Sequence, residues 1–471
     1  MTDYKVAILG AGPAGVGAAW KLVQAGCKGV VVLERSSAAG GNSGSFDLAG
    51  VPVDYGSHRL HPACDPSIMR DIRGLLGADL LDRPRHGRIR LRGRWIHFPL
   101  RPVDLVVNLP PSFALGVAGD AARKLLGRSK QNGDVTFESI LESGLGRTIC
   151  RDFYFPYAVK LWGLQPSELS PIQAQRRVAA GSLAKMVRKV LSAVPGLKPA
   201  GSGRFFYPSQ GFGQITQAYA DSAIESGADI RFNSAVTRVR LGDRHRVEFE
   251  CGGQTESISA EHVWSTIPIS ILAKLVDPPP PPDVLIAAES IRYRSMILVY
   301  LVVGQNQFSP YDAHYFPETD IPISRMSEPK NYSAREEPAG QTVLCGELPC
   351  QLGDQYWNAS DNELGDIMVA AVERCGLQFG SRIEQVVTRR LPFAYPIYDA
   401  GFERHFEAMD RWLIGLDRVL TFGRQGLFAH DNTHHALAMA YAAVECLNQG
   451  GFDSQRWSEY RTEFAKHVVE D

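Results

Sequence analysis

Val6-Ala7-Ile8-Leu9-Gly10-Ala11-Gly12-Pro13-Ala14-Gly15 reads as a buried parallel strand that runs straight into a glycine turn. A helix is expected from Val16 to Val23, and Val30-Val31-Val32-Leu33 follows as a second strand ending on Glu34. Strand, glycine turn, helix, strand and acid within about thirty residues are the parts of a βαβ dinucleotide site. Gly10 permits the tight turn, Gly12 lets the backbone approach a pyrophosphate, and Gly15 lets helix and strand pack closely. The pyrophosphate would rest on the helix N-terminus, where unpaired N–H groups and the dipole favour an anion. Glu34 would take the ribose hydroxyls. Gly40-Gly41-Asn42 sits directly behind Glu34-Arg35. Extra bare backbone at that point suits the longer arm of FAD better than NAD. The expected cofactor contacts here are Gly10, Gly12, Pro13, Ala14, Gly15, Glu34, Arg35, Gly41 and Asn42. No second GxGxxG occurs, so one Rossmann dinucleotide site is supported.

The chain has 471 residues, enough for two or three structural units, and 44% are hydrophobic, as in a soluble protein with a large core. Lys+Arg number 50 and Asp+Glu 51, a net charge of −1 that calls for neither nucleic acid nor an anionic membrane. Eight cysteines are scattered without CxxC or zinc spacing, and Cys345 and Cys350 read as buried thiols rather than a bridge. A reducing, cytoplasmic setting is the expectation. No apolar run approaches the ~20 residues that span a bilayer, so no integral membrane segment is expected. The opening strand is not preceded by a signal-peptide core.

The expected fold class is α/β. A discontinuous Rossmann-like FAD-binding domain takes residues 1–62, 200–275 and 391–450. A helical domain (63–199) is inserted, a mixed-sheet substrate domain takes 276–390, and 451–471 is a C-terminal tail. Helices are expected over Gln214–Ser226, Asp361–Cys375 and His434–Leu447, and strands over Ala235–Leu241, Val263–Thr266, Ser295–Val303, Thr342–Leu348 and Arg418–Phe422. Pro278–Pro282 reads as a stiff exposed connector. Arginine at every second position over Arg88–Arg94 reads as the outer face of a single strand.

The N-terminal fingerprint resembles the amine oxidase and protoporphyrinogen oxidase superfamily of flavoproteins. Other segments narrow the likeness. Tyr157-Ala158-Val159-Lys160-Leu161-Trp162-Gly163 with Arg177-Val178-Ala179-Ala180, Tyr315-Phe316-Pro317 with Arg325 and Asn331-Tyr332-Ser333, and Gly423-Arg424-Gln425-Gly426 before a helix carrying His434 resemble the eukaryotic-type UDP-galactopyranose mutases. The likeness covers nearly the whole chain. It implies that His58 sits in a mobile loop over the flavin, although the loop reads Gly56-Ser57-His58 where the family has two glycines. It implies that Arg177 and Arg325 clamp a substrate diphosphate, a task that suits the planar guanidinium fork. His58, Arg177 and Arg325 are therefore the candidate catalytic residues. Trp162, Tyr315, Tyr395 and His430 are implied on the substrate side, and Val236, Gly423, Arg424, Asn432 and Thr433 on the cofactor side. The positions that hold uracil in the family read Phe98 and Arg101 here, a family asparagine is Ala158, and a family tyrosine on the diphosphate is His430. The carrier base is therefore not fixed by the resemblance.

The implied activity is a nucleotide-sugar mutase without net redox, in which N5 of reduced FAD attacks the anomeric carbon and the nucleoside diphosphate leaves, with NAD(P)H as the reductant. The competing class is an FAD-dependent oxidase or desaturase, which the same cofactor motifs fit equally well. A third reading is a non-catalytic FAD-binding partner protein. The expected partner is a small molecule, with a homo-oligomer allowed but not required. Simpler roles stand beside several residues. Arg177 could belong to a solvated helix face, Arg325 to a structural ion pair, Trp162 to the core, and His430, His434 and His435 to an ordinary helix start. His58 and His61 lack the helix and acid of a metal-binding HxxH, and no metal site is expected.

Overall fold

In the computed structural model, which describes residues 2–99, 104, 107–125, 135–177 and 203–469, the strand Asp3–Leu9 lies between two parallel neighbours. Val6, Ala7, Ile8 and Leu9 are wholly buried. Burial on both faces explains the unbroken apolar run, since a strand covered by helices on each side has no polar face to show. Each such Val, Leu or Ile side chain contributes roughly 1.5–3 kcal/mol. The register pairs Leu9 with Leu33 of Val30–Leu33 and with Ser265 of Gln254–Ser265. Among the described residues this sheet has eight strands, ordered Val276–Asp277, Ala235–Arg240, His245–Cys251, Gln254–Ser265, Asp3–Leu9, Val30–Leu33 and Asp229–Arg231, with Val419–Thr421 also paired to Gln254–Ser265. The helices Pro13–Gln24, Gln214–Glu225 and Thr433–Cys446 cover one face through a shared core that includes Leu22, Tyr219 and Leu437.

A second sheet has seven strands among the described residues. Its order is Ile383–Ile397, Arg292–Val303, Thr342–Cys350, Arg325–Ser327, Ala313–Tyr315, Gly87–Leu91 and Arg94–Phe98. The long strand Arg292–Val303 divides its side chains between two cores. Ile297, Val299, Leu301 and Val303 meet Leu364, Met368 and Val372 of the helix Asp361–Arg374. Met296, Leu298, Tyr300 and Val302 meet Leu48, Val51 and Val53 of the hairpin Ser45–Leu48/Val51–Asp54. Two-sided burial again removes the alternation that a half-exposed strand would show.

The arginine-rich segment differs from the reading as a single strand. It is a hairpin, Gly87–Leu91 pairing with Arg94–Phe98, and it joins the second sheet although it comes from the span read as helical. The turn falls at Arg92-Gly93, with φ +51 and +72. Two successive positive φ values give the turn twist that matches paired strands. Arg88 lies over the rings of Trp95 and Tyr311, and Arg90 pairs with Glu318. The proline run ends as the first residue of a helix, Pro282–Ser290, a position where the missing N–H costs nothing. The described helical part between the sheets packs Phe137, Leu141, Leu145, Ala158 and Trp162 together. No described helix is long and apolar enough to cross a membrane. All eight cysteines are free, Cys345 and Cys350 both buried.

Candidate active site

The carboxyl ends of four parallel strands, at Leu9, Leu33, Ser265 and Thr421, meet at one crevice. That is where open α/β sheets bind ligands. Gly10 has φ +98, and a Cβ there would stand 2.8 Å from Thr266 Oγ1. A Cβ on Gly15 would lie 1.9 Å from the Gly10 carbonyl oxygen. Gly41, at φ +54, faces Gly12, and its Cβ would fall 3.2 Å from Gly12 Cα. The two glycine turns thus meet backbone to backbone. The helix Pro13–Gln24 begins with no side-chain cap and no acid in its first turn. Its orphan N–H groups and dipole are left for an anion. Glu34, 7% exposed, accepts N–H bonds from Ala11 at 2.7 Å and Ser36 at 2.8 Å, which fixes its carboxylate at the end of the second strand. Ser234 donates its N–H to the Glu34 carbonyl, two residues before Val236, while Arg35 is exposed.

The far wall of the crevice is pinned at one carbonyl. Phe393 O accepts from Asn42 Nδ2 at 2.9 Å and from Gln425 Nε2 at 2.7 Å. Gly423 abuts Ala14, a Cβ on it reaching 2.7 Å from the alanine Cβ. Arg424 donates to Ala394 O at 2.8 Å and Asp431 O at 3.3 Å and lies 5.0 Å from the Tyr395 ring centre. Asn432 and Thr433 open the helix Thr433–Cys446. Gly10, Gly12, Ala14, Gly15, Glu34, Gly41, Asn42, Gly423 and Arg424 therefore lie around one crevice, and bare glycine backbone, an uncapped helix and a fixed acid fit the pyrophosphate and ribose of FAD.

His58 projects from the loop after Asp54. Its Nε2 lies 2.9 Å from Tyr55 O and 3.0 Å from Asn42 O, two acceptors, so Nε2 carries the hydrogen. The ring stacks on Phe212 at 5.4 Å. Burial lowers the imidazole to about 4, against the Tyr55 hydrogen bond and the Glu347 charge, so His58 is neutral at ordinary pH.

Beneath this loop lies a network that the sequence reading missed. Arg325 pairs bidentately with Glu347, Nε to Oε1 at 2.9 Å and Nη2 to Oε2 at 3.0 Å. Glu347 Oε1 also accepts the Ser57 N–H at 2.8 Å, joining the arginine to the His58 loop. Arg59 donates to Tyr315 Oη at 3.1 Å, Tyr332 Oη at 2.9 Å and Asp312 Oδ1 at 3.3 Å. Burial works against both guanidinium charges, but Glu347 for Arg325, and Tyr315, Tyr332 and Asp312 for Arg59, hold them firmly charged. A sequence signal existed: Glu347 is the one charged residue in a strand, Thr342–Cys350, whose nine positions are all buried. A lone carboxylate there needs a partner.

The substrate candidates fall into two groups. Tyr315 packs edge to face on Phe98 at 5.3 Å, with Arg325 5.8 Å from its ring centre. Trp162 meets His430 at 4.9 Å and Tyr395 at 5.7 Å. Trp162 and His430 are 3% and 1% exposed, so they form a closed wall and Tyr395 is its open member. Tyr157, its hydroxyl pushed well up by burial, lies within electrostatic reach of Arg325, Tyr315, Glu347 and Tyr395 and so stands between the groups. Arg177 closes the helix Pro171–Arg177, but its side chain, like all of Arg101, lies outside the described residues.

This burial has a pH consequence. His58, His245, His262, His314, His434 and His435 are all lowered, chiefly by burial. Below their ordinary value of 6.5 the unfolded chain takes up protons that the folded chain refuses, so the stability from these groups is complete above that pH and is lost as pH falls toward 4. Asp54, raised by burial to about 6, acts with the opposite sign as pH rises from 3.8. With six described histidines against two raised acids, Asp54 and Glu328, the urea midpoint is expected to fall between pH 6.5 and 4, and less steeply in His58→Asn. A midpoint flat across that range would contradict the assignment.

Comparison with known proteins identifies a flavin-dependent family. Residues 13–403 match the family model of flavin containing amine oxidoreductases. A reduced UDP-galactopyranose mutase superposes with a TM-score of 0.82 at 21% identity, over 99% of this chain and 100% of that one. A putative protoporphyrinogen oxidase from Exiguobacterium gives 0.72 at 19%, over 94% and 98%. A putrescine oxidase bound to putrescine gives 0.61 at 14%, also over 94% and 98%. At these identities the solved structures speak for the fold alone, whereas the family match spans most of the sequence. The chain belongs to the flavin-containing amine oxidoreductase family, as an FAD-dependent enzyme of that superfamily.

Proposed function

We propose that this enzyme is a nucleotide-sugar mutase that rearranges a sugar ring without net redox. The observation that carries the reading is the Arg325 guanidinium, held charged under the His58 loop and beside Tyr315. Glu347 takes the Nε edge and leaves Nη1 for a phosphate oxygen. FAD, when bound and reduced, supplies the nucleophile at the anomeric carbon that such a rearrangement requires. The protein's part is to hold the leaving diphosphate, with Arg325 and Arg177 as cations that stabilise its developing charge. Tyr315, its hydroxyl fixed by Arg59, and Tyr395 orient the sugar. Neutral His58, its Nε2–H held by Tyr55 O and Asn42 O, leaves Nδ1 as an acceptor. The anomeric C–O bond breaks and re-forms to the same diphosphate, so the product is an isomer of the substrate. The reduced mutase that shares the fold over the whole chain supports the reading. NAD(P)H is the proposed reductant, reaching the same crevice.

One observation favours the oxidoreductase alternative. The Arg325 charge is already balanced by Glu347, so it offers a diphosphate less than a free cation would. A test separates the two. Protein reduced with dithionite under argon is incubated with a pool of nucleotide sugars, and the products are resolved by chromatography. The mutase reading expects an isomer of unchanged mass only with reduced protein. Absence of any isomer, together with oxygen uptake from an amine or other reduced substrate, would establish the alternative.

A further inference from the structure

Asp431 follows the buried His430 and precedes the last long helix. Its side chain is 2% exposed. Among the described residues no lysine or arginine pairs with that carboxylate. Its neighbours are imidazoles: His467 Nδ1 at 3.0 Å from one oxygen and His435 Nδ1 at 4.0 Å from the other. A buried carboxylate with no cation is costly. The histidines around it are crowded. The rings of His435 and His467 stack at 4.2 Å, and those of His434 and His435 lie 4.1 Å apart.

We propose that Asp431, His435 and His467 bind a divalent transition-metal ion that fastens the C-terminal segment beside the cofactor crevice. The three ligand atoms lie within 4.8 Å of one another. Tetrahedral Zn²⁺ with bonds near 2.1 Å places its ligand atoms about 3.4 Å apart, so the set must close by roughly 1 Å. His467 can supply that movement, because it lies beyond the last helix, Ser454–Phe464. His435 Nδ1 now accepts the Asn432 N–H at 3.2 Å, a helix-capping bond that an ion at this nitrogen would replace. Two imidazoles and one carboxylate select zinc and its first-row neighbours over calcium or magnesium, which prefer all-oxygen shells.

The position gives the ion a structural task. The Asp431 carbonyl accepts from Arg424, and Val469 donates its N–H to Arg176 O at 2.9 Å, one residue before Arg177. An ion here would tie the chain end to both sides of the crevice. Asp431 and His467 are 36 residues apart, a separation that matches no short metal motif. The proposal stands whether or not the enzyme is a mutase.

The test uses the FAD-loaded full chain, stripped with chelator and desalted. Zn²⁺ alone is titrated by calorimetry, and thermal unfolding is followed with and without it. One ion per chain and a higher unfolding temperature are expected. His467→Ala should weaken Zn²⁺ binding at least ~10-fold and abolish the thermal shift. His435→Gln should do the same, and His405→Ala should bind as the parent does. No saturable Zn²⁺ binding, or binding unchanged in both His467→Ala and His435→Gln, would overturn the proposal.

Discussion

Gly15→Ala is expected to give a folded protein that purifies without flavin. The new methyl would sit 1.9 Å from the Gly10 carbonyl oxygen, a backbone atom that cannot turn aside. The first helix must then move away from the turn, and with it the N–H groups that would meet the pyrophosphate. The remaining core can absorb a shifted helix at a cost of about 1–3 kcal/mol, whereas the cradle cannot keep its geometry. The measurements are the flavin absorption band after purification and the urea midpoint. Gly74→Ala is the control. Gly74 lies on the exposed side of the helix Pro66–Leu76 with nothing within 4 Å of a new Cβ. That exchange should stabilise by about 0.5–1 kcal/mol and leave the flavin content unchanged. A fully flavinated Gly15→Ala protein would mean that the turn does not hold the cofactor.

Arg325→Ala is expected to cost about 3–5 kcal/mol of stability and to abolish nucleotide-sugar turnover. The stability loss comes from Glu347, which is 4% exposed and would keep only the Ser57 N–H as a described partner. The turnover loss comes from the missing cation at the diphosphate. One variant alone confounds these effects, so a second separates them. Arg325→Met combined with Glu347→Leu removes both charges and should recover most of the stability, because a buried ion pair replaced as a whole is often nearly neutral. Turnover should stay lost. If it returned with stability, Arg325 would be a structural partner of Glu347 and no substrate ligand.

The dinucleotide crevice was legible because its residues are close in sequence and each answers a backbone demand. Gly10, Gly15 and Glu34 could be placed from one short segment. The long core strands were legible from their apolar runs. The hairpin at Arg92-Gly93 was not, because alternating arginines read alike whether the chain continues or turns back. The ion-pair network was hidden for a different reason. Arg59, Asp312, Arg325 and Glu347 come from separate elements, and only strand order brings them together. Arg325 illustrates the limit: its position marks a binding residue and its bonds also make it a structural one, and both readings rest on the same guanidinium.

The most direct measurement follows the anomeric bond itself. A nucleotide sugar carrying a heavy-oxygen label at the bridge between sugar and diphosphate is incubated with dithionite-reduced protein under argon, then recovered and its phosphorus spectrum recorded. If the diphosphate leaves and returns, the label spreads from the bridge to the non-bridging oxygens, in the reduced protein and not in the oxidised one. A label that stays at the bridge, while a known mutase scrambles it under the same conditions, would contradict the mutase account.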